Sequence, residues 1–369
     1  MRNNLALLSL SANRHTSRTR LAHSLLAATV ITVASVSASA AEKITVLNWQ
    51  GYGTDEAWAL DAFNQKTGIE VVHDYFNSEQ EMLTKLRTSP GTYDVVLINN
   101  IFVMDAVDEG LIQPIETAEI TEFSDLSPSM RDSERFVRDD QQWAIPWVWG
   151  LTSFAYNTEN ISERPNSLEA LWDPANAGKV GMRDDAMEAV QIAALATGQD
   201  MNSPEDMSAI KEKLLALKPQ IKTFWSSEDE WNKLTAAGDY DIAVYWSGSA
   251  SRSKKAMGLP VDFVVPEEGA IGWFDGLTIA TGAPNPEGAL AFINFMVSPE
   301  FYVPWDTNVG APASANSKAN EALPDTAMNR AVLADPAVVE RIQWMAPVTD
   351  VKRQELQELW DEVKTAFAR

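Results

Sequence analysis

The stretch 69-IEVVHDYFNSEQEMLTKLRTS-89 changes periodicity halfway. Residues 69–76 are β-branched and aromatic, which suits a strand. Residues 79–89 space Met82, Leu83 and Leu86 as one helical face. The same alternation runs to either side. Upstream, 44-ITVLNW-49 is a buried strand, and 55-DEAWALDAFNQKTG-68 is a helix stopped by glycine. Downstream, 94-DVVLIN-99 is a strand and 102-FVMDAVDEG-110 a helix. The βαβαβα order predicts an α/β sheet with helices on its faces.

A second such unit follows. Residues 179–183, 221–225, 241–246 and 261–266 have strand character, and 185–198, 203–219 and 228–238 helical character. Two extended segments, 144–157 (broken by Pro146 and Gly150) and 273–280, look like crossings between the units. Helices are expected over 286–298 and 352–367. Two α/β units joined by two crossings predict two lobes around a cleft. Ligands of open α/β sheets bind beyond the carboxyl ends of the strands. Trp49, Tyr52, Asn99, Asp184, Asp185 and Trp246 lie at such ends.

Residues 1–40 read as an export signal. Arg14, Arg18 and Arg20 precede an apolar run, 24-SLLAATVITVASV-36, and a small-residue Ala38-Ser39-Ala40 site. The run is too short for a comfortable membrane span. A soluble exported chain starting near Ala41 or Glu42 is expected. Residues 1–40 contain arginines and no acid, so the remainder is more acidic than the whole chain's −23. It contains no cysteine, and its one histidine is His73. An exported chain without cysteine fits the bacterial periplasm and a core large enough to need no disulfide. Cysteine nucleophiles and cysteine zinc sites are excluded, and the acidity disfavours nucleic acid. A calcium loop of alternating acids around glycine is missing. No metal or other cofactor is expected.

The segment 181-GMRDDAMEAV-190 places Asp184, Asp185 and Glu188 at a strand-to-helix junction. Asp185 and Glu188 fit a capping box, which explains Asp185 without a ligand. They also share a helix face and can aim together into a cleft. Arg183 either neutralises Asp184 or faces a ligand carboxylate. Four aromatics lie beside flexible glycines: Trp49 and Tyr52 in 48-NWQGY-52, Trp246 in 245-YWSGS-249, and Trp273 in 271-IGWFDG-276. Each ring alone is compatible with core packing. Together, beside acids, they suit an organic cation, because aromatic faces attract cations and buried ammonium groups need carboxylates. Trp273 and Asp275 are two apart and share a strand face. Paired carboxylates among tryptophans also occur in glycosidases, so a secreted glycoside-cleaving enzyme is the alternative of another class.

At these residues the chain resembles the periplasmic spermidine/putrescine-binding proteins of ABC importers. The resemblance rests on NWQGY, YDVVLIN followed by EGLIQPI, WAIPWVWG, RDDAMEAV, YWSGSA, GWFDGLTI and PEGALAFINF, in that order. It implies a two-lobed, type II-like periplasmic binding fold: lobe 1 from 41–148 plus 272–320, lobe 2 from 149–271 plus 321–369. It implies that Trp49, Tyr52, Trp246 and Trp273 sandwich an aliphatic chain while Asp185, Glu188 and Asp275 bind ammonium groups, with Asn99 at the site. The chain departs from the family pattern at Asn99 (serine), Ile101 (tyrosine), Ala311 (tyrosine), Met345 (glutamine) and Arg183 (a small hydroxyl residue). These departures admit a shorter diamine, or an amine bearing a carboxylate such as 4-aminobutyrate paired to Arg183. The expected partners are a small amine and an inner-membrane ABC permease, with the chain a monomer that neither enters the membrane nor binds nucleic acid.

Overall fold

The computed structural model describes residues 42–368, without the side chains of 332–334; the expected export signal lies outside the described residues. Eight strands form a continuous path. They are β1 (Lys43–Asn48), β2 (Glu70–Tyr75), β3 (Val95–Asn99), β4 (Ile145–Asn157), β5 (Val180–Arg183), β6 (Ile221–Trp225), β7 (Ile242–Trp246) and β8 (Ala270–Ala280). Their order is β2-β1-β3-β8-β4-β7-β5-β6. The first three are mutually parallel, as are β7, β5 and β6. Parallel neighbours need crossover helices. Those are α1 (Ala57–Thr67) and α2 (Glu79–Thr88) in the first block. In the second they include α3 (Ala186–Ala196) and α4 (Glu228–Ala236).

The two blocks meet through β4 and β8, which run antiparallel to each other and to their outer neighbours. Every residue of both is buried. β8 pairs with β3 through Asp275–Ile279 and with β4 through Ile271–Leu277. β4 then pairs with β7 through Thr152–Tyr156. Each crossing strand therefore changes partners along its length, which is how one sheet carries two packed bodies. One core gathers Val46, Phe63, Leu97 and Phe292; the other gathers Val180, Met182, Ile192, Leu214 and Trp360. Leu323 and Ala327 pack in the first.

The predicted break in 144–157 does not occur. Pro146 lies where β4 and β8 slip register, between Asp275 and Gly276. A bulge tolerates a residue without an N–H. Gly150 is needed for contact rather than for a turn: a Cβ there would stand 2.4 Å from the Trp273 ring. Gly272 likewise packs on Ile342, and Gly276 on Phe136. So 271-IGWFDG-276 is uninterrupted strand, not a turn. At 245–249 the glycine lies in a helix start: α5 (Ser247–Lys255) begins at once, and its Gly248 packs against Pro312. A further helix, Pro299–Asn308, was not expected. The C-terminal helix α6 (Asp350–Phe367) buries Leu356, Trp360 and Val363, an i, i+4, i+7 stripe. Each fully buried apolar side chain contributes roughly 1.5–3 kcal/mol. That packing, more than propensity, holds the helix.

Candidate functional site

The loop after β1 presents Tyr52. Asn48 is buried and organises it: its Nδ2 donates to Thr54 Oγ1 (2.7 Å) and the Tyr52 carbonyl (3.3 Å). Its Oδ1 accepts from the Trp49 N–H at 2.7 Å. Gly51 and Gly53 turn the chain at φ 73° and 81°, a region that favours glycine. A Cβ at Gly53 would also meet the Trp305 ring at 2.5 Å. Edge contacts with Trp147 and Trp305 fix the Tyr52 ring. Its hydroxyl donates to Asp275 Oδ2 at 2.9 Å.

Asp275 is 6% exposed, on β8 at the bulge. Its second oxygen accepts from Asn99 Nδ2 at 2.8 Å. The Asn99 side-chain oxygen, Oδ1, in turn accepts from the Ile101 N–H at 3.2 Å. Burial pushes the Asp275 carboxyl up to about 7, against the pull of its two hydrogen bonds. A neighbouring cation would reverse that shift.

Glu79, the first residue of α2, joins this end of the site and was missed in the sequence. Its Oε2 is buried with no hydrogen-bond partner. Burial, and next the Asp275 charge, raise its pKa well above the usual carboxylate range, while a hydrogen bond from the Asn99 backbone and then the Arg183 charge pull it down. The helix start itself is explained by Ser78, whose hydroxyl accepts from the Glu81 N–H at 3.1 Å. The available signal was position: Glu79 follows a strand and opens a helix, as Asp185 and Glu188 do.

At the other end, Asp185 caps α3 by accepting from the Glu188 N–H at 2.9 Å. The capping box is only half made. Glu188 turns inward instead of back to the cap, and its Oε2 accepts from Trp246 Nε1 at 3.2 Å. Arg183 Nη1 lies 3.3 Å from that same oxygen and 3.7 Å from Asp185 Oδ2. The guanidinium carbon stands 4.9 Å from the Trp246 ring centroid. Glu188 Oε1 is buried without a partner. Burial raises the Glu188 pKa despite Arg183. Burial also opposes the Arg183 charge, but Asp185 and Glu188 outweigh it and hold its pKa above the ordinary value. Asp184 points elsewhere: its Oδ1 accepts from Trp360 Nε1 (2.7 Å) and Lys364 Nζ (2.8 Å). The acid that Arg183 meets is therefore Glu188, with Asp185 behind it, and not Asp184.

The structure thus joins Tyr52, Asn99 and Asp275 in one group, and Arg183, Asp185, Glu188 and Trp246 in another. Trp273 is buried over Gly150 with its N–H unpartnered. Trp49 lies half-buried, edge-on to Phe76 at 4.7 Å. Two of the departures noted in sequence, Ile101 and Ala311, are buried and apolar. Buried carboxylates with unused lone pairs, flanked by indoles, can hold a cation.

A family model for bacterial extracellular solute-binding proteins matches residues 58–334. The spermidine/putrescine-binding periplasmic protein of Escherichia coli is 31% identical over 331 residues, covering 88% of this chain and 93% of that protein. A putrescine-binding periplasmic protein of Escherichia coli is 27% identical over 362 residues, covering 92% and 96%. The solved structure of a spermidine/putrescine ABC transporter substrate-binding protein from Streptococcus pneumoniae superposes with a TM-score of 0.76. It is 26% identical, with 88% of this chain and 99% of that one covered.

Proposed function

Because the chain belongs to the bacterial extracellular solute-binding proteins, we propose that it captures a small di- or polyamine in the periplasm and delivers it to an ABC permease. As a member of that family it is a binding protein and not an enzyme. A carboxyl titrating near 7 would also suit acid–base catalysis; family membership decides against that use and against the glycosidase reading.

The observation that carries the proposal is Asp275, a buried carboxylate held by Tyr52 and Asn99 and paired with no cation among the described residues. Glu79, with its unpartnered oxygen, reinforces the demand for positive charge. Charge balance narrows the class. Glu79, Asp185 and Glu188 act on the Arg183 guanidinium, and Asp275 adds a fourth acid, so these four exceed that cation by three negative charges when all are ionised. A dication removes most of that excess, whereas a zwitterion such as 4-aminobutyrate removes none. Arg183 is the feature that supports the carboxylate-bearing ligand, but its guanidinium is already engaged by Glu188 and Asp185.

Capture follows from differential affinity: a ligand that touches both groups of residues favours the conformation that brings them together. Tyr52 and Asn99 orient the carboxylate, and the indoles of Trp246 and Trp273 cover the methylene chain. The chain's acidity raises the local concentration of cations and their on-rate. The names of the relatives support the same ligand class. A thermal-shift panel tests the reading. Putrescine, cadaverine, agmatine or spermidine should raise the melting temperature. A shift with 4-aminobutyrate alone overturns the diamine assignment, and no shift with any of them overturns the amine reading.

A further inference from the structure

The guanidinium of Arg183 makes the contacts that a ligand ammonium would seek at this end of the site. It stands 4.9 Å from the centroid of the Trp246 ring, 3.3 Å from Glu188 and 3.7 Å from Asp185. Its side chain is only 19% exposed. The indole N–H of Trp246 donates to the same Glu188 oxygen that faces the guanidinium, so ring and acid are positioned as one cradle. The cation is supplied by the chain, from the last residue of β5. A second positive charge there would meet Arg183 at close range with little water between them.

We propose that Arg183 occupies, as a tethered cation, the ammonium place between Trp246 and Glu188, and so makes the protein select a short aliphatic diamine over a longer triamine. The inference rests on the amine reading above. With Glu188 and Asp185 served internally, Glu79 and Asp275 remain for the ligand, two carboxylates for two ammonium groups. A third ammonium finds at the far end a cradle that already holds a guanidinium, with one Glu188 oxygen left over, and meets a like charge there. Arg183 contributes a fixed positive charge here, while Arg252, 5.6 Å from the Tyr52 ring centroid, is paired with Glu228, so removing Arg183 changes the number of charges the site accepts without touching Tyr52, Asn99 or Asp275.

The test is calorimetry with putrescine and spermidine on the natural protein, Arg183→Ser and Arg183→Lys. The natural protein should bind putrescine at least tenfold more tightly than spermidine. Arg183→Ser should shift the ratio of the two affinities toward spermidine by tenfold or more. Arg183→Lys keeps a cation on a comparable stem and should keep the preference for putrescine. A purely structural role for Arg183 predicts that both ligands weaken together in Arg183→Ser, and that result overturns the inference. So does an unchanged ratio between the two amines, or a natural protein that prefers spermidine. Absence of binding for both amines in all three proteins overturns the amine reading, and the inference falls with it. A thermal melt of each variant without ligand confirms that the measured loss or gain belongs to a folded protein.

Discussion

The two ends of the site use the same residue types and solve opposite problems. At the Glu188 end, two carboxylates meet an arginine and an indole N–H, and one of the two charges is met before any ligand arrives. At the Asp275 end, Tyr52 and Asn99 donate hydrogen bonds, but no cation among the described residues pairs with the carboxylate. Hydrogen bonds from neutral groups lower a buried carboxylate's pKa only part of the way back. Counter-charge, rather than acid count, separates a site that is waiting from one that is occupied.

Removing the waiting charge should produce the largest effect. Asp275→Asn is expected to weaken diamine binding by about 2–5 kcal/mol, the range for truncating one partner of a buried charge pair. Calorimetry reads this directly, and a loss below tenfold would make the Asp275 end no more important than its neighbour. Next comes pH. The Asp275 pKa is raised from 3.8 to about 7 in the ligand-free protein, so the folded state holds a proton there that the unfolded state has lost between those values. The associated stability is present below about pH 4 and declines as pH rises to about 7, by up to ~4 kcal/mol. Chemical denaturation without ligand at pH 5 and pH 8 should show the protein weaker at pH 8. A cation must displace that proton, so diamine affinity should fall about tenfold per unit below pH 7, with proton release visible as a dependence of binding heat on buffer. Glu79→Gln should cost less, about tenfold in diamine affinity or ~1.4 kcal/mol. An equal loss in Glu79→Gln and Asp275→Asn would mean that the two acids act as one unit. Smallest is Asp184→Asn. That half-exposed acid serves Lys364 and Trp360 on α6. Diamine affinity should be unchanged, and stability reduced by about 1 kcal/mol or less. A loss of affinity would show that the outer side of the junction reports to the site.

Much of this contrast was readable along the chain. The βαβ alternation needed only periodicity, and the parallel blocks follow it. Trp273 and Asp275 share a face because strand geometry repeats every two residues, whatever surrounds them. Tyr52 was legible because Gly51 and Gly53 bracket it and both adopt positive φ. The glycines at 248, 272 and 276 misled for a physical reason. A missing Cβ permits a turn, but it equally permits a ring or a proline to press against the backbone, and sequence does not say which. Glu79 was hidden because Ser78 and Glu81 already account for an acidic helix start. The partner of Arg183 was hidden because adjacency along the chain suggests Asp184. In a strand, neighbours point to opposite faces; Arg183 ends β5 facing the site, and Asp184, the next residue, turns toward α6.

The partner exchange along β4 and β8 has a consequence for dissecting the protein. Neither parallel block can be excised as an autonomous fragment. A cut between β8 and β4 exposes the edge of an eleven- or a thirteen-residue strand with no polar residue turned to water. Such edges invite pairing with other chains. Fragments that part β8 from β4 should therefore precipitate or associate when made alone, and regain solubility when both are produced together and share the seam.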